Sequence, residues 1–364
     1  MRFVEIPLSG ILDFTSTEEF KNSTVIPVTP QRARSQSLNP RGSPGDIILI
    51  IAYNEKDELV GFIGALPDRL SLSPGWRIAW NSGWWVDPIR GREAAMPLFY
   101  RFLDRWNKHV LFADLTPLTY EIVCKTGFFQ GRIRMGTRGY LRMPLADILP
   151  QKNRVFRTLK WLFSATDFVF NLFWEFRLRI WKNQNQMDKK IEYQFISELD
   201  SSIISLIKQE STRELIRRGE EELNWIRDYP WVIQGEPEPF TRRYHFTSHA
   251  RRFEHHRVKI TESNQAKAFL IVTLRDNHLK VPYLYYKTGS LSYVMDFLLH
   301  FMISNRVQYI SVFRQDLAEY LIKYRTPMIW KKRIARYTAV SKDLAGILPE
   351  VYQLQDGDGD SVFT

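Results

Sequence analysis

The chain has 364 residues, 44% of them hydrophobic and 14% aromatic, so it is long enough for two domains with large cores and is not a disordered tail. Its formal net charge of +11 favours anionic partners, namely nucleic acid, phosphorylated or CoA-type ligands, or an anionic membrane surface, without choosing among them. The one cysteine, Cys124, excludes an intramolecular disulfide and a cysteine-based zinc site.

The first half of the chain predicts alternating strands and helices. Two apolar runs, at 47–53 and 59–65, flank NEKDE and indicate a β-hairpin. The elements expected next are one strand or two short ones at 77–86, a helix from about Glu93 to Trp106, a buried strand at 110–115, a short helix at 117–126 and a strand near 139–145. The order β-β-β-α-β-α-β is typical of an α/β fold with a mixed, mostly antiparallel sheet flanked by helices.

The segment 154–182 is apolar around most of a helix and carries one narrow polar stripe. Such a helix is either buried in protein or lies at a membrane interface, and burial is the favoured interpretation. In the membrane alternative, basic residues would approach lipid headgroups, namely Arg154, Arg157, Lys160, Arg177, Arg179 and Lys182. No stretch is apolar and long enough to span a bilayer and no signal peptide is visible, so we expect a cytoplasmic protein, with peripheral contact at the inner membrane face as the alternative.

The second half repeats the cadence of the first. Residues 191–209 predict a strand and a helix, 256–286 three strands, and 291–324 a helix, a strand and a helix. We therefore expect two α/β domains, at 1–150 and 191–364, joined by an aromatic helical segment and linker at 151–190.

A basic turn joins the strand 77–86 to the following helix. Its candidate phosphate-binding residues are Arg90, Gly91, Arg92, Ala94 and Ala95. A helix N-terminus presents N–H groups outside the helical ladder, and small residues let a phosphate come close. From its own residues the turn is either a plain surface turn with two solvated arginines or a phosphate site.

The region 45–145 resembles the GNAT superfamily, the Gcn5-related N-acyltransferases. Its turn is similar to that family's Arg/Gln-x-x-Gly-x-Gly/Ala motif, with Arg90 in the first position and Ala95 in the last. The middle glycine of the motif falls on Glu93, a departure that brings a carboxylate toward the pyrophosphate of coenzyme A. The hairpin containing GFIGALPD and the KTGFF run at 125–129 also match the family's layout.

The resemblance implies transfer of an acyl group, acetyl in the first instance, from acetyl-CoA to an amine. A strand splayed after Trp84 would receive the pantetheine arm, and backbone N–H groups near Trp85 and Val86 would polarise the thioester carbonyl. The implied carboxylate is Asp114, with Asn81 and Asp87 as further polar candidates.

Tyr120 is the implied acid for the leaving thiolate. The family's usual tyrosine position is occupied by Val123, a second departure, and Tyr120 lies one helical turn earlier. Asp114 has an alternative interpretation as the N-cap of the following helix.

The second half resembles a GNAT fold in layout only, because its turn YYKTGSLS lacks the basic Arg-x-x-Gly-x-Gly pattern. The whole chain therefore resembles a tandem GNAT-like pair whose second domain is degenerate. The preferred acceptor is an amino sugar or an envelope-polysaccharide precursor, free or lipid-linked. Two alternatives stay open: a Fem-type transferase, which would use charged tRNA, and a non-catalytic binding protein. No DNA partner and no metal are expected.

Two further runs are ambiguous. RRYHFTSHARRFEHHR at 242–257 is basic and aromatic, and favours a solvated or substrate-lining segment over a metal site. DGDGD at 356–360 lacks the later glutamate of a calcium loop and predicts a polar C-terminal turn.

Overall fold

The computed structural model describes residues 1–72 and 75–363, apart from the side chains of residues 151, 152 and 154. The strands are β1 (Arg2–Pro7), β2 (Ile47–Tyr53), β3 (Leu59–Arg69), β4 (Arg77–Val86), β5 (Val110–Leu115), β6 (Phe129–Tyr140), β7 (Ile191–Phe195), β8 (Ile233–Gln234), β9 (His249–Ala250), β10 (Phe253–Glu262), β11 (Gln265–Arg275), β12 (His278–Tyr286), β13 (Tyr309–Val312) and β14 (Trp330–Ser341).

The α-helices are α1 (Ile11–Ser16), α2 (Glu18–Asn22), α3 (Pro30–Ser37), α4 (Ala95–Arg105), α5 (Pro117–Lys125), α6 (Leu145–Lys152), α7 (Arg154–Thr158), α8 (Lys160–Gln184), α9 (Ser201–Glu210), α10 (Glu220–Asp228), α11 (Leu291–Ser304), α12 (Gln315–Lys323) and α13 (Lys342–Ala345). Short 3-10 turns cover Leu8–Gly10, Arg92–Ala94, Thr241–Arg243 and Ser361–Phe363.

The chain forms two compact units, each assembled from separated segments. Unit 1 consists of Met1–Arg134, Ile207–Phe253 and Arg336–Thr364, and unit 2 of Met135–Leu206 and Glu254–Ala335. The predicted domain boundaries near residues 150 and 190 stay a prediction.

Both units use the same order of strands. In unit 1 the order is β1-β2-β3-β4-β5-β14, antiparallel except for the parallel pair β4–β5. In unit 2 the order is β7-β10-β11-β12-β13-β6, and β12–β13 is the parallel pair. The predicted fold class, α/β with mixed, mostly antiparallel sheets flanked by helices, is confirmed, and so is the repeat.

Helix α4 shows how the sequence positions the elements of unit 1. Leu98, Phe99 and Phe102 recur at helical spacing and are buried against β2–β5. The opposite face of the sheet is covered by apolar residues of the N-terminal helices, including Ile11 and Phe20. The turn before α4 is thereby held at the end of β4.

Helix α8 contradicts the favoured interpretation of the segment 154–182. Its aromatic face is exposed, with Trp161 at 70% and Phe173 at 74%, while the polar Asp167 is buried. The predicted single helix is also interrupted at Leu159, between α7 and α8. Within the described residues, no helix is long and apolar enough to cross a bilayer.

Candidate functional site

Strand β4 carries a bulge in its middle. The β3–β4 register shifts so that two residues of β4, Ser82 and Gly83, lie opposite the single residue Gly64. Gly83 has φ of 87°, a left-handed conformation that favours glycine. A Cβ on Gly64 would lie 2.3 Å from the backbone oxygen of Ser82, so a side chain there would clash with the bulge.

Beyond the bulge, alternate N–H groups of β4 point away from β3. The N–H of Asp87 donates to the carbonyl of Val60, which makes these residues a hydrogen-bonded pair. Bonded and non-bonded pairs alternate along an antiparallel ladder, so Val86, opposite Gly61, belongs to a non-bonded pair, as does Trp84. The N–H groups of Trp84 and Val86 therefore face the side on which β5 lies.

Strands β4 and β5 separate after a short parallel pairing. In the described part of the chain, Ala79 pairs with Val110 and Trp80 with Leu111, and the pairing stops there. We call the opening between residues 81–86 of β4 and residues 112–115 of β5 the β4–β5 gap. Main-chain N–H groups along one edge of such an opening can bind the carbonyl groups of an extended ligand.

The turn at residues 355–360, the C-terminal turn, lies at the start of this gap. A Cβ on Gly359 would be 2.9 Å from Cβ of Ala113 on β5 and 3.3 Å from the Trp80 ring on β4. Residues 355–359 are buried. The sequence predicted a polar turn here; the turn is present, but its carboxylates face protein.

Asp360 reaches the bulge through Ser82. The Ser82 hydroxyl donates to Oδ2 of Asp360 at 2.7 Å, and Nη2 of Arg32 donates to the Ser82 carbonyl (2.6 Å) and hydroxyl (2.8 Å). Arg32 is itself held by the Tyr244 hydroxyl and lies 4.2 Å over the Trp231 ring. Because Arg32 occupies the acceptor side of the hydroxyl, the Ser82 proton is directed at the half-buried Asp360 carboxylate.

The other carboxylates of the C-terminal turn have different surroundings. Asp356 pairs with Arg134 at 3.1 Å, and its carbonyl accepts a hydrogen bond from Arg336. Asp358 accepts the Gln355 N–H on Oδ2, while its Oδ1 has no hydrogen-bond partner among the described residues. Burial raises the pKa of Asp358 to about 7, so this carboxyl is partly protonated near neutral pH.

The predicted phosphate turn already holds a carboxylate. Oδ1 of Asp87 accepts the N–H groups of Ile89 and Arg90 at 2.9 Å each, and Oδ2 accepts the Arg90 guanidinium at 2.8 Å. Hydrogen bonds from the Arg90 N–H and guanidinium lower the pKa of Asp87 to about 2. Arg90 also pairs with Glu58 at 3.2 Å, so two carboxylates engage the side chain predicted to contact phosphate.

The rest of the turn is arranged as a helix start. Gly91 is buried, Arg92 is exposed, Ala94 is buried and Ala95 begins α4. The first bond of the 3-10 turn runs from the Ala94 N–H to the Gly91 carbonyl. The two preceding N–H groups, of Arg92 and Glu93, therefore lie outside the helical ladder. These are the amides that an anion could reach.

Trp85 and Val86 form the end of β4, and both are half-buried. The Trp85 ring stacks on His245 with centroids 4.2 Å apart and planes at 13°. Burial lowers the pKa of His245, which favours the neutral ring. The basic, aromatic segment 242–257 therefore contributes a residue beside β4.

Asn81 and Asp114 flank the β4–β5 gap on its two strands. Nδ2 of Asn81 donates to the Gly64 carbonyl at 3.2 Å, and Asp114 is exposed near the end of β5. The alternative interpretation of Asp114 as a helix cap is wrong, since the Thr116 hydroxyl accepts the Thr119 N–H and caps α5.

Tyr120 lies on α5, half-buried, with its ring 5.1 Å from that of Tyr337. A Cβ on Gly131 would be 2.4 Å from the Tyr120 hydroxyl and 2.7 Å from Sγ of Cys124, so the hydroxyl lies against β6 beside the thiol. Burial raises the pKa of Tyr120 above its ordinary value, so the phenol is protonated at neutral pH, as an ordinary tyrosine also is.

Sequence patterns did not indicate Arg32, Ser82 or Asp360 as residues of the site. Serine and glycine in the middle of an aromatic strand are a signal for a bulge, but no local pattern pairs Ser82 with a carboxylate 278 positions away. Within residues 1–72 and 75–363, no cluster of three or more His, Cys, Asp or Glu side chains is arranged to hold a metal ion.

No protein-family model matches this sequence, and no curated protein sequence matches it. Solved structures do resemble it. A GCN5-related N-acetyltransferase from Kribbella flavida is 12% identical with a TM-score of 0.48, over 94% of this chain and 71% of that one.

Two further similar structures have other descriptions. A tandem GNAT protein from the clavulanic acid biosynthesis pathway is 12% identical with a TM-score of 0.44, over 93% of this chain and 98% of that one. Saccharomyces cerevisiae N-myristoyltransferase with bound myristoyl-CoA is 11% identical with a TM-score of 0.47, over 93% and 78%. At such identities the likeness does not identify any residue of a site.

Proposed function

We propose that this chain is an acyltransferase that moves an acyl group, acetyl in the first instance, from acyl-CoA to an amine, with its reacting centre in the β4–β5 gap of unit 1. The observation that supports this most is the Asp360–Ser82 hydrogen bond at the bulge, which brings a half-buried carboxylate to the strand whose Trp84 and Val86 N–H groups face the gap.

The donor would lie along β4. The N–H groups of Trp84 and Val86 face the gap and would bind the pantetheine and thioester carbonyls, where they stabilise the oxyanion of the tetrahedral intermediate. The pyrophosphate would bind the N–H groups of Arg92 and Glu93 together with the exposed Arg92 guanidinium. Ala94 and Ala95 leave the approach to this helix start uncrowded.

Asp360 would act as the general base. As the amine nitrogen attacks the thioester carbon, its proton passes to the Asp360 carboxylate, directly or through water. The carbon–sulfur bond then breaks, and Tyr120, whose phenol is protonated at neutral pH, is the candidate to protonate the thiolate. Asn81 would keep the bulge in place, and Asp114 is the alternative base on β5.

The acceptor class rests on the surroundings of the gap. Trp84 and Trp85 are half-buried on β4, where Trp84 stacks on Phe99 and Trp85 on His245, and the parts of these side chains that remain exposed can pack against a sugar ring. The preferred acceptor is an amino sugar or an envelope-polysaccharide precursor.

Calorimetric titration with acetyl-CoA and with free CoA at two salt concentrations tests the donor. We expect micromolar binding that weakens with salt, and Arg92→Ala should weaken it roughly threefold to tenfold. Arg325→Ala, an exposed arginine of unit 2, is the matched control and should leave binding unchanged. Release of CoA in the presence of a panel of amino sugars then tests the acceptor.

A non-catalytic binding protein is the second candidate, and Asp87 favours it. Its carboxylate already satisfies two N–H groups of the predicted phosphate turn. The absence of any heat with acetyl-CoA or CoA would support this candidate over acyl transfer, unless charged tRNA proved to be the donor instead.

A further inference from the structure

Helix α8 has the reverse of the usual amphipathic arrangement. Its polar stripe faces the protein: the carboxylate of Asp167 accepts the N–H groups of Leu145 (3.0 Å) and Ala146 (2.8 Å), and Asn171 Oδ1 accepts the Met143 N–H at 2.8 Å. These bonds cap the start of α6 with side chains of α8. The polar residues that the sequence displays as a stripe are therefore the attachment of the helix to unit 2.

A buried ion pair fixes the same face further along. Glu175 pairs with Arg142, whose guanidinium also donates to the carbonyl of Val307 at 2.7 Å. Leu178 is fully buried in the core of unit 2, and Trp174 packs against that core. Rotating α8 to bury its aromatic face would break all of these contacts, so the outward face is a stable feature.

The outward face is apolar and large. Its residues recur at helical spacing and are between 41% and 74% exposed: Trp161, Leu162, Phe168, Val169, Leu172, Phe173, Phe176 and Ile180. A contiguous exposed patch of this kind marks an interaction site, because single exposed apolar residues are ordinary and a row of them is not.

Charge identifies the occupant. Residues 145–184 contain seven basic and three acidic side chains. The acidic residues of α8 itself, Asp167 and Glu175, are bonded on the inward side, whereas Lys160, Arg177 and Arg179 are exposed. A second copy of this face would offer no carboxylate to these cations, but an anionic lipid surface would.

We propose that the outward face of α8 docks on an anionic lipid surface, with the helix lying in the plane of the membrane. Its 25 residues extend about 37 Å at the usual rise per residue, and its tryptophan and phenylalanine side chains would enter the headgroup boundary. The basic residues would lie at headgroup level. This inference stands on α8 alone and does not depend on the proposed acyl transfer.

Co-sedimentation with vesicles tests it. The full chain is mixed with vesicles of phosphatidylcholine alone and with vesicles containing roughly 30% phosphatidylglycerol. We expect binding to the anionic vesicles, and Phe168→Ser/Phe173→Ser should lower the partition coefficient at least about tenfold. Arg177→Gln/Arg179→Gln should lower it roughly tenfold on anionic vesicles and weaken its salt dependence.

The matched control is Val351→Ser, because Val351 is 75% exposed and Phe173 is 74% exposed. This change should leave vesicle binding unchanged, and circular dichroism should show that every variant is folded. Equal binding by the double phenylalanine variant and the parent, or no binding by the parent, would overturn the proposal. So would a dimer in solution that dissociates on the phenylalanine changes without vesicle binding, since the occupant would then be a second copy.

Discussion

In unit 1 the strand segment after the bulge, Trp84 to Val86, is half-buried and faces an unpaired gap; in unit 2 the segment after the corresponding bulge, Tyr283 to Tyr285, is fully buried. Both bulges are one-residue register shifts, and each lies on the first strand of the parallel pair, β4 in unit 1 and β12 in unit 2. The second bulge contains Pro282, which has no N–H to offer a ligand.

Side chains of unit 2 occupy the place that is open in unit 1. Arg314, just after β13, donates to the Leu284 carbonyl on β12, and its Nε is 2.9 Å from Oδ2 of Asp316. The Tyr286 hydroxyl donates to the same carboxylate at 2.6 Å. The Leu284 carbonyl of β12 is thus bonded by a side chain of unit 2, whereas β4 meets the C-terminal turn with Asp360. The same topology therefore yields two different sites, because function depends on what reaches the gap.

The largest effect is expected from a substitution that clashes with the bulge of β4. Gly64→Ala would place a Cβ 2.3 Å from the Ser82 backbone oxygen, and we expect a loss of about 3 kcal/mol in the free energy of unfolding. Urea denaturation measures this loss. Gly45→Ala, where a Cβ meets nothing within 4 Å, is the control and should change stability little. Equal midpoints for the two variants would contradict the described bulge.

Asp360→Asn tests the carboxylate that distinguishes unit 1. We expect kcat to fall at least about 100-fold with little change in the KM for acetyl-CoA, because the base acts on the acceptor amine. Asp316→Asn changes the carboxylate that accepts hydrogen bonds from Tyr286 and Arg314 in unit 2 and should lower kcat less than about threefold. The assignment of Asp360 as the general base fails if the two variants lose activity equally. It also fails if Asp114→Asn alone abolishes activity.

Asp358 tests the burial of the C-terminal turn. Its folded-state pKa of about 7 lies above its ordinary value of 3.8, so the folded chain holds this proton more tightly than the unfolded chain. Its contribution to stability is complete at low pH and is lost as pH rises toward 7, at up to about 1.4 kcal/mol per pH unit. Asp358→Asn should therefore gain stability relative to the parent between pH 5 and pH 8, measured by denaturation at both values. A gain independent of pH would place Asp358 in water.

The smallest effect is expected in the turn between β4 and α4. Asp87→Asn removes the negative charge that engages Arg90 and should tighten CoA binding roughly threefold to tenfold. Lys287→Ala, in the turn after β12, should leave affinity unchanged. Calorimetry measures both, and weaker binding by the Asp87 variant would show that its carboxylate shapes the turn rather than competing with phosphate.

Local patterns predicted the elements that surround the site. The runs at 47–53, 77–86 and 110–115 are strands with the same bounds, because apolar, β-favouring residues are interrupted there by turn residues. The expected strand at 139–145 was displaced: β6 is Phe129–Tyr140, whose pattern is obscured by exposed polar residues.

Long-range pairing and orientation were beyond sequence patterns. Nothing near Ser82 indicates that Asp360 and Arg32 will meet there, since these contacts join distant segments. Periodicity also revealed the polar stripe of α8 without indicating which side faces the protein, and the usual rule gave the wrong side. Asp167 and Asn171 decide it by bonding the start of α6.

The measurement that tests the central claim most directly is hydrogen–deuterium exchange with and without acetyl-CoA. The open gap of unit 1 predicts slower exchange of the amides at 84–96 on ligand addition, with no change at 283–292 in unit 2. Slower exchange at 283–292 alone, or no change in either segment at saturating ligand, would contradict the assignment of acyl-CoA binding to the β4–β5 gap.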